Sequence, residues 1–160
     1  MNSILAIDPG SSESAFVVMD KNTYAPYNIG KEPNEKVLQD LKIRRINADH
    51  LAIEMIASYG MPVGREIFET CVWIGRFIQE WESLGGTYSY VLRKDEKMMI
   101  CHSPHANDAT IRLALADRFA YGTPNGGKGT KSKPGWFYGF KADIWQAYAV
   151  GVTFIDQRKE

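Results

Sequence analysis

The apolar run Ile4-Leu5-Ala6-Ile7 ends on Asp8 and is stopped by Pro9-Gly10. A short unbroken apolar run closed by a turn signal is the pattern of a buried strand, and it predicts one over 2–8. Residues 14–20 predict a second strand, joined to the first through Gly10-Ser11-Ser12 as a hairpin. A third strand is expected over 23–29. Pro33-Asn34 then opens a polar helix over 34–46, with Val37, Leu38 and Leu41 along one side. Residues 50–56 repeat the buried-strand pattern, with Glu54 set between Ile53 and Met55.

Ala57 to Pro62 reads as a loop leading into a long helix over 63–83. Ile67, Cys71, Ile74 and Ile78 form one stripe at helical spacing, Trp73, Phe77 and Trp81 a second, and Phe68 and Val72 widen the flank. A surface helix shows a narrower apolar face. This helix is expected to bury two sides, one against the sheet and the other against a partner subunit or further elements of the same domain. Gly85-Gly86 ends it, and residues 87–92 predict another strand. Arg93-Lys94-Asp95-Glu96-Lys97 follows as a charged run, then a short apolar piece to Cys101. Asn107 or Asp108 caps a helix expected over 108–121. Residues 122–135 hold five glycines, three lysines and no acid, which predicts a mobile basic loop. A last helix over 141–156 has no polar face through its middle, so it is expected to be buried, with Asp143 in its first turn.

Hairpins followed by strand–helix alternation predict an α/β fold, a mixed sheet with helices on its faces. The 160 residues suit one domain able to bury about 70% of its unfolded surface. A hydrophobic fraction of 44% supports a globular core rather than a disordered chain. No apolar run is long enough to span a membrane, and no basic segment precedes an apolar core at the N-terminus, so a cytoplasmic setting is expected. Cys71 and Cys101 do not make a disulfide framework. Zero net charge gives no global signal for nucleic acid, although a local basic patch suffices for that.

Three carboxylates carry the candidate chemistry. Each has an ordinary reading: Asp8 in Asp-Pro-Gly turn chemistry, Glu54 facing solvent, Asp143 as a helix cap. Yet Asp8 and Glu54 lie on strands that can be neighbours, and Asp143 opens a helix that must pack on their sheet. Converging carboxylates repel one another unless divalent cations neutralise them, and oxygen-only ligands suit Mg²⁺ or Mn²⁺. Two such ions, roughly 3.5–4 Å apart, are what phosphodiester hydrolysis uses. Gly122 to Lys128 is followed by Gly129 rather than by the Lys-Ser or Lys-Thr pairing of a P-loop, so no nucleotide cofactor is expected.

Ala6-Ile7-Asp8-Pro9-Gly10, Ala52-Ile53-Glu54 and the segment from Lys141 through Asp143 to Val150 together resemble the RuvC family of Holliday junction resolvases, within the RNase H-like nuclease superfamily, and most of all its phage-encoded branch. Trp73-Ile74-Gly75-Arg76 stands where that family has a glycine-containing dimer helix, and Asn107 to Arg112 precedes a helix near its active site. The resemblance implies an RNase H-like mixed sheet with helices on both faces. It implies a Mg²⁺-dependent endonuclease, with Mn²⁺ as a substitute, that cleaves four-way and other branched DNA in recombination and repair. It further implies Asp8, Glu54 and Asp143 as catalytic metal ligands, and a homodimer through helix 63–83 in the host cytoplasm. The family's additional acidic or histidine ligand, one turn before the last Asp, falls on Phe140, which cannot bind metal; Asp108 or His105 are substitutes to consider. Tyr59 and Met61 occupy the loop where the family wedges into the junction. Arg65, Arg93, Lys94, Lys128, Lys131, Lys133 and Lys141 supply candidate phosphate contacts. The alternatives are a non-catalytic branched-DNA-binding module on the same fold, or an actin-like ATPase fragment, whose first strand also ends in Asp-x-Gly.

Overall fold

A computed structural model describes residues 2–159. The elements run β1 (Ser3–Asp8), β2 (Glu13–Asp20), β3 (Pro26–Pro33), α1 (Asn34–Lys42), β4 (His50–Met55), α2 (Arg65–Ser83), β5 (Thr87–Leu92), α3 (Arg93–Cys101), α4 (Asp108–Ala120) and α5 (Ile144–Lys159). The five strands form one sheet in the order β3-β2-β1-β4-β5. The β1–β2 and β2–β3 pairs are antiparallel, and the β1–β4 and β4–β5 pairs are parallel.

Alternation along the central strands sorts the core into two layers. Ile4, Ala6, Val17 and Ala52 face one side, where α3, α4 and α5 pack. Leu5, Ile7, Val18 and Ile53 face the other, beneath α1 and α2. The unbroken apolar run of β1 therefore serves both faces, as expected of a central strand covered on both sides. Helix α5 comes close to β1 and β2 because Gly151 carries no side chain: a Cβ there would stand 2.3 Å from Met19 Sδ and 3.1 Å from Ala6 Cβ.

Several boundaries differ from the sequence pattern. The third strand starts at Pro26 rather than residue 23, because Asp20 Oδ1 accepts from the backbone N–H groups of Asn22 and Thr23, both at 2.8 Å, and Tyr24 turns left-handed at φ 68°. Helix α1 stops at Lys42, ahead of a left-handed Arg44 at φ 58°. The charged run after β5 forms the start of a helix, α3. Asp143 lies just ahead of α5 rather than inside its first turn, and its carbonyl accepts from Ala147 N at 3.0 Å. Only one flank of α2 is covered: Ile74, Phe77, Ile78 and Trp81 are buried, while Phe68 and Val72 stay exposed. Both cysteines are free.

The glycine-rich segment folds back on itself. Gly129 pairs with Pro134, Gly135 N donates to Lys128 O at 2.9 Å, and Phe137 N donates to Gly127 O at 3.0 Å. Gly127, at φ 93°, lets the loop lie on the core, since a Cβ would meet Phe137 and Ala120 at 2.8 and 2.9 Å.

Candidate active site

The parallel register of β1 and β4 aligns Ile4 with His50, Ala6 with Ala52 and Ile7 with Ile53. One residue further along, at the C-terminal ends of both strands, this register puts Asp8 beside Glu54. Both extend the face formed by Ala6 and Ala52, the face that α5 covers. The turn after Asp8 is held by a small polar network. Gly10 N donates to Ser14 Oγ (3.2 Å), Ser14 Oγ donates to Asn34 Oδ1 (2.6 Å), and Asn34 Nδ2 donates to Gly10 O (2.9 Å). Gly10 itself leaves no room for a side chain, because a Cβ would stand 2.3 Å from Glu13 O.

A fourth carboxylate joins from α3. Glu96 is completely buried, and its Oε1 accepts from Arg93 Nη1 at 3.2 Å. Burial, and then the adjacent Glu54 carboxylate, push Glu96 well above the usual carboxylate range. The same two causes, in the same order, with Asp143 adding to them, push Asp8 up to about 9. In both cases Arg93 pulls the other way. Glu54 thus stands between Asp8 and Glu96 and disfavours the charged form of both.

Asp143 is engaged differently. Its Oδ2 lies 2.8 Å from Lys31 Nζ, which reaches over from β3. Donating that hydrogen bond to the Asp143 carboxylate raises the Lys31 amine above its usual range. A groove of about 470 Å³ opens beside Asp143, lined among others by Asp108, Arg112, Trp145 and Gln146. Arg112 lies over the Trp145 ring at 4.7 Å.

Of the sequence-proposed ligands, the fold brings Asp8 and Glu54 together and sets Asp143 near enough to act on Asp8. Asp108 is 68% exposed and pairs with Arg93. His105 is exposed, and Phe140 is buried among Phe137, Trp145 and Tyr148. Among the described residues, no three His, Cys, Asp or Glu side chains are arranged around a common point as metal ligands. The carboxylates are instead paired off with Arg93, with Lys31 and with one another. Their all-oxygen chemistry still fits a hard divalent cation, and Glu96 Oε2 is buried with no hydrogen-bond donor.

The candidate DNA contacts are dispersed. Arg93 Nη1 donates to Gln146 Oε1 at 2.7 Å as well as to Glu96, so its guanidinium is committed to the acidic cluster. Arg65 pairs with Glu69 at 2.7 Å on the surface of α2. Lys94 Nζ sits 5.7 Å over the ring of Tyr59, and Tyr59 and Met61 are 65% and 71% exposed. Lys128, Lys131 and Lys141 border a concavity of about 530 Å³ with Tyr138, and Lys133 is exposed nearby.

Comparison with solved structures gives near-complete superposition on a Thermus thermophilus protein. The structure described as "Thermus thermophilus RuvC structure" matches with a TM-score of 0.65 at 13% identity, covering 98% of this chain and 95% of that one. "T. thermophilus RuvC in complex with Holliday junction substrate" matches with a TM-score of 0.69 at 15% identity, covering 99% and 96%. The fold is RuvC-like. No family model and no curated protein matches the sequence. The RuvC-like fold was legible in the three carboxylate motifs and their order. Glu96 and Lys31 were not, although Arg93, Glu96 and Ile100 stand at i, i+3 and i+7, which is one face of a helix. No helix among the described residues is long and apolar enough to cross a membrane.

Proposed function

We propose that this protein is a divalent-metal-dependent, structure-selective endonuclease that cleaves four-way and other branched DNA. The observation that carries the reading is the placement of Asp8 and Glu54 side by side at the ends of parallel neighbouring strands, with Asp143 heading the helix laid across them, in a RuvC-like fold. Asp8, Glu54 and Asp143 would hold the ions. Mg²⁺, or Mn²⁺ in its place, would supply charge neutralisation and Lewis acidity at the phosphodiester.

The chain's own residues do the rest. The network of Gly10, Ser14 and Asn34 fixes the backbone from which Asp8 projects. Lys128, Lys131, Lys133 and Lys141 form one basic border and Lys94 with Arg65 another, able to hold phosphates without reading sequence. The exposed Tyr59 ring and the Met61 side chain offer apolar surfaces to bases unstacked at a branch point. The uncovered flank of α2, with Phe68 and Val72, is the surface through which two copies would join. Two copies supply the two cuts that a two-fold symmetric junction requires.

A second reading, a junction-binding module without catalysis, is favoured by one observation: buried Phe140 fills the place of the family's additional ligand. The two separate on a labelled synthetic four-way junction, incubated with Mg²⁺ or EDTA, comparing wild type with Asp8→Asn. Paired metal-dependent nicks that vanish in the mutant while binding persists support the nuclease. Tight binding with no cuts in any divalent metal supports the binding module. Neither binding nor cutting, together with ATP hydrolysis, supports the actin-like alternative.

A further inference from the structure

Glu96 is the one carboxylate of the cluster with no part in the proposed chemistry, and its surroundings do not account for it. It has no exposed surface, and Oε2 finds no donor. A buried polar atom left without a partner is destabilising, so an apolar side chain of similar volume would be the more stable choice if Glu96 only filled space. Nor does Arg93 require it, because Gln146 and Asp108 already accept from that guanidinium. The charges show what is missing. Asp8, Glu54, Glu96 and Asp143 face two cations, Arg93 and Lys31. With Asp108 also on Arg93, the fully ionised cluster keeps a negative excess that a divalent cation would offset.

We propose that Glu96 is a further metal-binding carboxylate of this site, with Oε2 coordinating a divalent cation alongside Glu54 while Arg93 holds Oε1. The proposal rests on the metal-dependent reading above. It supplies from α3 the additional ligand that Phe140 cannot provide from the segment before α5. Arg93 then has a defined role: it fixes the Glu96 rotamer and keeps one oxygen engaged, leaving the other free for the ion, as outer-shell donors do for ligating carboxylates.

The test is Mn²⁺ binding, measured by calorimetry and by electron paramagnetic resonance, on wild type, Glu96→Gln, Glu96→Asp and Glu54→Gln, with thermal unfolding in EDTA alongside. Glu96→Gln should weaken Mn²⁺ binding by about tenfold or more, comparable to Glu54→Gln, and lose the Mn²⁺-induced rise in Tm. Its melting temperature in EDTA should equal or exceed that of wild type, since it removes a buried carboxyl. Glu96→Asp keeps a carboxylate at shorter reach and should bind with intermediate affinity, which serves as the readout if the Gln variant does not fold. Unchanged Mn²⁺ affinity in both Glu96 variants, in a wild type that binds Mn²⁺ and nicks junctions, overturns the assignment of Glu96 and leaves the nuclease standing. A wild type that neither binds Mn²⁺ nor nicks overturns both.

Discussion

Asp8→Asn should stabilise the metal-free protein at neutral pH even as it abolishes cleavage. In the folded chain the Asp8 carboxyl is pushed from 3.8 up to about 9, by burial first and by the Glu54 carboxylate second. In the unfolded chain it ionises near 3.8. Between these two values the folded state holds a proton that the unfolded state has released, so stability falls as pH rises through that window. Below the lower value both states are protonated and the group contributes nothing. At about 1.4 kcal/mol per unit, the roughly three units between 3.8 and pH 7 amount to about 4 kcal/mol of destabilisation at neutrality. Asp8 keeps some contact with solvent, which lowers the expected gain to about 2–3 kcal/mol. At about 2–4 °C per kcal/mol for a chain of this size, Asn should raise Tm by roughly 4–12 °C. The assay is thermal unfolding followed by circular dichroism in EDTA, at about pH 7.5 and about pH 4.5. The advantage of the mutant should be large at the first pH and small at the second. Saturating Mg²⁺ should then raise the wild-type Tm more than the mutant's, because only an intact site gains binding free energy. An Asp8→Asn variant that melts at or below wild type in EDTA near neutrality, or that gains equally at both pH values, would refute this account of the cluster.

Two further outcomes follow from neighbouring contacts. Lys31→Met removes the cation that occupies Asp143 at 2.8 Å; because the pair is partly exposed it should cost less than about 1 kcal/mol of stability, while Mn²⁺ affinity rises a few-fold, and weaker Mn²⁺ binding in this variant would count against Lys31 as a competitor for Asp143. Asn34→Ala breaks the bonds to Ser14 and Gly10 and should cost about 2–3 kcal/mol in chemical denaturation, with a loss in kcat larger than any change in KM; unaltered kcat would show that this network does not position Asp8.

How far the fold was legible follows from how each element signals itself. β1, β4 and α5 are covered on all sides, so their sequences run apolar without relief, and a pattern of that kind has few other interpretations. β3 lies at the sheet edge and is only partly buried along its length, so its pattern is weak. Its start was decided by a turn built on the Asp20 side chain and a left-handed Tyr24, which hydrophobic spacing does not record. α2 shows the converse problem. Its wide apolar girth predicts a helix buried on two sides, but only one flank is covered within the chain, and the exposure of Phe68 and Val72 is visible only once α1 and the sheet are in place.

The site divides along the same line. Asp8 and Glu54 interrupt apolar strands, and a charge inside an apolar run is conspicuous. Parallel pairing then sets them side by side without any further information. Glu96 is as deeply buried as any residue in the protein, yet it sits in Arg93-Lys94-Asp95-Glu96-Lys97, where five consecutive charges suggest a solvated surface. What hides it is that α3 is short and turns a single face inward, so its buried positions, Glu96 and the partly buried Ile100, are separated by polar neighbours. The apolar rule that places residues inside fails here because the group is buried against Arg93 and the carboxylates of the site. Lys31 is hidden for a related reason: an edge strand is where a lysine is ordinarily exposed, and only the path of the chain into α5 brings Asp143 within 2.8 Å of it. The residues that sequence patterns miss are thus those whose partners come from distant elements, Glu54 for Glu96 and Asp143 for Lys31. They are also the residues that set the charge balance of the site.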